Sequence, residues 1–242
     1  YAPIVIPSYN GARKLPNLTP LLAILLARQG APVLVHGVLQ DAGRVTSAEI
    51  FAALDMPVAQ SVAEAEAHFP RHVPAFLPID VLAPKMARLL SLRRILGVRS
   101  STHTLVKIIQ PFHEPVLRLS SYTHSEYLEM LGQYFTTLAP AQRGDVFLMR
   151  GTEGETVASV KRAQSIDWFH QGQRTTLIEK QLVADASPDV PAERDAQTTA
   201  HWIRRVLADE VPVPTAISEQ VAHCLDVARI VRERGDNGCA DA

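Results

Sequence analysis

The sequence predicts an α/β fold: a mostly parallel central sheet flanked by helices, with a smaller helical part. Three observations carry this. Short apolar runs of strand length alternate with longer segments whose apolar residues recur at helical spacing. The first 37 residues hold a complete strand–loop–helix–strand unit. With 242 residues and 47% hydrophobic content, the chain can bury a full core in one large domain or two unequal ones.

Taken in order, residues 4–6 read as a strand, residues 7–16 as a loop, residues 18–29 as an apolar helix and residues 33–35 as a second strand running into His36 and Gly37. A helix that begins where a strand ends turns unpaired N–H groups toward the loop, a geometry that suits phosphate. Arg13 and Lys14 stand in that loop, ahead of a helix start at Asn17 and Thr19. By itself this describes an ordinary βαβ unit with a solvated basic loop.

Thr46 or Ser47 can cap the next helix, which runs to about Leu54 with Glu49 in its first turn. A strand over 58–60, a helix over 62–69 and a strand over 75–78 follow. His68 and His72 are separated by Pro70, which breaks the helix a metal pair would need. In residues 83–99, Leu89, Leu92 and Leu96 form an apolar stripe at helical spacing. Lys85, Arg88, Arg93, Arg94 and Arg99 surround it with no acidic residue between them. Alone, that pattern is a solvated amphipathic helix. Beyond it, residues 116–121 read as a strand, 125–138 as a helix and 146–149 as a buried strand. Residues 187–192 form a loop, and helices over 194–208 and 214–232 close the chain, the last stopped by Gly235.

The formal net charge of −1 conceals an asymmetry. Residues 1–118 carry 12 Lys/Arg against 7 Asp/Glu, and residues 119–242 carry 12 against 18. A basic half is the footprint of a polyanionic partner. No run is long and apolar enough to span a bilayer, and no signal peptide is visible. Cys224 lies among apolar residues at helical spacing and reads as a core thiol; Cys239 lies in a polar tail. Two cysteines without metal spacing fit a reducing, cytoplasmic compartment. No hydrolase elbow, zinc motif or Walker loop is present. Ser120, Ser121 and His124 lack catalytic spacing and read as surface polar residues.

The spacing of the opening unit resembles the TrpD family, the anthranilate phosphoribosyltransferases and their relatives. That family has GTGGDG, then N-x-S-T, then K-H-G-N at fixed intervals. Here Asn17-Leu18-Thr19-Pro20 and Val35-His36-Gly37-Val38 fall in the second and third places, and the glycine loop falls on residues 7–12. Pro7, Tyr9 and Asn10 replace glycines that let backbone approach a pyrophosphate. Arg44, Ser47 and Ala48 keep the register of the next family loop. Pro84, Met86, Arg93, Arg94, Leu96, Gly97 and Arg99 match the segment at the mouth of the family's cleft, with Arg93 in the place of the arginine that contacts the aromatic acid. Pro111 and Pro115 keep the following register. The family's magnesium-holding Asp-Glu pair falls on Thr156-Val157, with Glu153 and Glu155 close enough for a shifted metal site.

The resemblance implies a nucleoside phosphorylase/phosphoribosyltransferase-like fold. It divides the chain into residues 1–80 and 101–242 of one α/β domain, with residues 81–100 as a helical segment serving the small domain and the cleft. Family members carry a helical part before this first strand, so the chain is expected to begin inside a longer protein. Within the family the loops look closest to the nucleic-acid-binding YbiB branch. The expectation is therefore a nucleic-acid-binding homodimer without catalytic residues, cofactor, metal site or membrane contact. DNA or RNA would be held single-stranded or without sequence preference. Arg13, Lys14, Asn17, Thr19, His36, Gly37, Arg44, Lys85, Arg88, Arg93, Arg94 and Arg99 would contact phosphates, and Tyr9 and Phe112 are the candidates for base stacking. The competing expectation is a phosphoribosyl or glycosyl transferase with an altered acceptor, kept open by Asn17, Thr19, His36 and Arg93.

Overall fold

The computed structural model describes residues 1–160, 165–179 and 190–240, the last three of these without side chains. Its centre is a sheet of seven strands in the order β3-β2-β1-β4-β5-β6-β7. These are β1 (Ile4–Ser8), β2 (Val33–Gly37), β3 (Ala75–Pro78), β4 (Val116–Ser121), β5 (Gly144–Met149), β6 (Ile166–His170) and β7 (Gln173–Ile178). The first five pair in parallel, and β6 and β7 add an antiparallel edge.

Both faces of the parallel part are covered, which is why apolar residues on its strands point to both sides. Val33 and Val35 face one side and Leu34 the other, and Phe147 and Met149 oppose Val146 and Leu148 in the same way. The larger core lies under α1 (Thr19–Arg28), α2 (Ser47–Ala53), α9 (Ala196–Leu207) and α10 (Thr215–Ala240). Leu21, Leu22 and Leu26 of α1 are fully buried there, each contributing about 1.5–3 kcal/mol. The opposite face is split into smaller clusters. One gathers Ala59, Ala65 and Leu77 beneath α3 (Val62–Glu66). Another holds Tyr9, Ile79, Ala87, Leu90 and Val106 beneath α4 (Ile79–Leu82), α5 (Pro84–Ser91) and α7 (Thr102–Leu105), with α6 (Arg93–Leu96) beyond them. The last packs Leu131 and Phe135 of α8 (Ser125–Thr137) on the sheet.

Thr46 caps α2 by a full capping box with Glu49, as its sequence predicts. Three expectations are corrected, and one hairpin was missed. Residues 58–60 form no strand; Ala59 alone donates to Phe76 O. The helix expected over 62–69 ends at Glu66 and gives way to a 3-10 turn, Phe69–Arg71, around Pro70. The hairpin of β6 and β7 was not legible, because its turn, Gln171-Gly172, lacks the Asn or Asp that usually marks two left-handed residues. Gly235 does not end α10: Arg229–Glu233 and Arg232–Asp236 pairs, with Arg234 bonded to buried Asp145, carry the helix through it.

Candidate functional site

The parallel strands all deliver their carboxyl ends to one edge of the sheet, where ligands of open α/β sheets bind. Five loops meet there, after β1, β2, β3, β4 and β5. The loop after β1 is held from beneath. Ser8 Oγ and Ser47 Oγ are 2.7 Å apart, Asn17 Nδ2 donates to Ser47 Oγ, and Asn17 Oδ1 accepts from Thr19 N. Tyr9 Oη and His36 Nδ1 share a hydrogen bond of 2.6 Å. Burial raises the Tyr9 pKa, with the Glu155 charge adding to it, and burial lowers that of His36 to about 3, so both are neutral. His36 Nε2 is left without a partner among the described residues.

The upper side of this loop presents a row of backbone N–H groups, and two carboxylates of the loop after β5 fill it. Glu155 Oε1 accepts from Asn10 N at 2.6 Å and Gly11 N at 2.7 Å, while its Oε2 lies 3.4 Å from the Thr19 hydroxyl. The Glu155 residue is 1% exposed. Glu153 accepts from Arg13 N at 2.8 Å, from Lys14 N and from Leu15 N. Burial works to raise the Glu153 pKa, but these N–H groups and the Arg44 charge outweigh it and hold the carboxyl below its ordinary value. Gly154 lies between the two glutamates at φ +91, and a Cβ there would fall 1.7 Å from Asn10 Nδ2. The two loops interlock only because that position is glycine.

Lys107 closes the site from below. It is 9% exposed and donates to Ser121 Oγ and Gly154 O, both at 3.1 Å. Burial lowers its pKa to about 8, opposed by the Glu155 charge. Ser121 Oγ also donates to Gly154 O at 2.6 Å.

The sequence-predicted residues divide into two sets. Asn17, Thr19, His36 and Gly37 are buried and tie the loop to the sheet. Arg13, Lys14, Lys85, Arg88, Arg94 and Arg99 are exposed and make no ion pair among the described residues. Arg44 is half-buried and donates to Asn10 O at 2.8 Å. Arg93 pairs with Asp41 at 3.3 Å, and Arg99 lies in the combined field of Arg93 and Arg44. Arg93 and Arg94 line a cavity of about 610 Å³ together with Tyr9, Asp41, Asp80 and His103.

Other expectations are corrected as well. Leu89, Leu92 and Leu96 do not form the buried stripe: they are 49%, 39% and 63% exposed, and Ala87 and Leu90 face the core. Ser120 and Ser121 are buried, while His124 is exposed. Tyr9 is buried and bonded to His36, and Phe112 is half-buried with one side toward Phe69 at 6.0 Å. The family's magnesium does not fit here. Thr156 and Val157 are buried at the place of its ligands, and the carboxylates of Glu153 and Glu155 are turned to backbone N–H groups instead. Among the described residues no group of His, Cys, Asp and Glu is gathered to hold a metal. Sequence reasoning placed both glutamates near the site but not in the loop. The signal was Gly154 between them, which allows the close approach.

The fold is shared with solved structures. Anthranilate phosphoribosyltransferase from Thermus thermophilus superposes with a TM-score of 0.64 at 19% identity, over 96% of this chain and 68% of that one. The Saccharomyces cerevisiae enzyme in complex with PRPP and Mg gives 0.65 at 16% identity, over 92% and 64%. The fold is therefore that of the anthranilate phosphoribosyltransferases. No family model matches the chain. The protein YbiB of Escherichia coli K12 is 43% identical over 224 residues, which is 92% of this chain and 68% of YbiB. The chain belongs to the TrpD-like family, in its YbiB branch. It spans about two thirds of the length of these relatives.

Proposed function

We propose that this protein binds nucleic acid on the basic face around the carboxyl edge of its sheet and does not transfer phosphoribosyl groups. The observation that carries this is the occupation of the loop after β1 by Glu153 and Glu155. An anionic pyrophosphate arriving there would meet two carboxylates, with the N–H groups of Asn10 and Gly11 already taken by buried Glu155, where displacement at a sugar carbon needs the pyrophosphate's charge neutralised. The cations outside the loop are in the opposite condition. Arg13, Lys14, Lys85, Arg88, Arg94 and Arg99 are exposed without acidic partners among the described residues, free to neutralise phosphates and release counterions. Among the described residues no helix with base-reading side chains stands out, so backbone contacts dominate and sequence preference is slight. Pairing of two copies, which the family resemblance implies, belongs to this reading.

Fluorescence anisotropy with labelled single-stranded oligonucleotides tests it. Wild-type protein is expected to bind at low salt and weaken steeply as salt rises. Reversing Lys85, Arg88, Arg94 and Arg99 together to Glu should abolish binding with the fold intact, since exposed substitutions cost within about 0.5 kcal/mol each. Wild-type indifference to oligonucleotides, or a reversed variant that binds equally well, would overturn the proposal.

A further inference from the structure

We infer that the N–H groups of Arg13, Lys14 and Leu15 are a phosphate seat that the protein keeps filled with its own Glu153. The inference rests on the nucleic-acid reading for the identity of the ligand. Glu155 and Glu153 differ in what they fill. The first is buried and inaccessible, whereas the bonds of Glu153 lie at the surface. Three successive N–H groups converging on one carboxylate make a concavity for a tetrahedral oxyanion as much as for a planar one. The side chains of Arg13 and Lys14 rise from the same residues, Arg44 adds its field, and Arg194 donates to the Arg13 and Gly43 carbonyls beside it. A cleft of about 340 Å³ opens next to the seat between Lys14, Leu15, Leu18, Thr152, Ala158 and Val190. Its surface is mixed, polar and apolar, with room for the nucleoside attached to a seated phosphate.

Glu153 thus acts as an internal competitor. When a backbone phosphate of the nucleic acid takes the seat, the carboxylate leaves for water, and the strained left-handed backbone at Glu153 (φ +54) is free to relax. Every binding event at this point is weakened by the cost of that exchange. The device limits affinity and favours release.

Two variants separate this from a merely structural bond or a general charge effect. Glu153→Gly removes the occupant and suits the left-handed backbone. Glu153→Gln removes the charge but keeps an amide oxygen for the same N–H groups. The Gly variant is expected to bind a labelled oligonucleotide roughly three- to tenfold more tightly than wild type, since no carboxylate has to be displaced. The Gln variant should gain distinctly less. Inorganic phosphate added to the ¹⁵N-labelled Gly variant should shift the amides of Arg13, Lys14 and Leu15, and leave them unmoved in wild type. Equal gains in both variants would mean a charge effect alone and would overturn the seat. So would a folded Gly variant with unchanged affinity and silent amides. If the Gly variant does not fold, an unchanged affinity of the Gln variant overturns it. If neither protein binds oligonucleotides but phosphate still shifts those amides, the seat stands and the nucleic-acid reading fails.

Discussion

At the scale of single residues, the site depends on buried groups kept in one protonation state. His36 is fully buried and its pKa is lowered to about 3, against about 6.5 in an unfolded chain. Between those values the unfolded state binds more protons, so stability is lost as pH falls from about 6.5 toward 3. The slope from this one residue is about 1.4 kcal/mol per pH unit. Urea midpoints between about pH 7 and pH 4.5 should therefore drop faster for wild type than for His36→Asn. Parallel profiles would mean that His36 gains a proton without unfolding. The position of His36 was readable from its place before Gly37, but its isolation was not. Tyr9 takes its Nδ1 across a contact between residues far apart in sequence. The two glutamates were likewise visible as residues and invisible as ligands, since no local pattern announces a carboxylate bound to another loop's backbone.

At the scale of elements, the basic segment shows how far periodicity reaches. Leu89, Leu92 and Leu96 share a helical face, yet the chain breaks at Leu92 between α5 and α6 and buries Ala87 and Leu90 instead. A leucine-rich helix offers more than one apolar register, and the partner surface selects among them. Here the cluster with Tyr9, Ile79 and Val106 admits the face that carries the smaller Ala87. Truncations should report this. Leu90→Ala is expected to cost about 2–4 kcal/mol, while Leu96→Ala, at a position 63% exposed, should change stability by no more than about 0.5 kcal/mol. Denaturant midpoints in which the two costs are reversed would restore the stripe read from sequence. The element with a strong end signal fared better: Thr46 and Glu49 placed α2.

At the scale of the whole molecule, the parallel sheet was legible because each buried strand holds a short run of apolar residues bounded by loop residues. The antiparallel edge was not, because β7 is exposed and polar along most of its length. The register of Asn17, Gly37 and Ser47 carried the family resemblance, and those residues prove to be the buried supports of the loop. Family spacing therefore persists in the scaffold while the loop above it has been refilled with the protein's own carboxylates. The most direct test of that account is calorimetry on one protein sample with two ligands, phosphoribosyl pyrophosphate with Mg²⁺ and a single-stranded oligonucleotide at low salt. The expected result is salt-sensitive heat with the oligonucleotide and none with the sugar pyrophosphate. Metal-dependent binding of the sugar pyrophosphate, with no heat from the oligonucleotide, would contradict it.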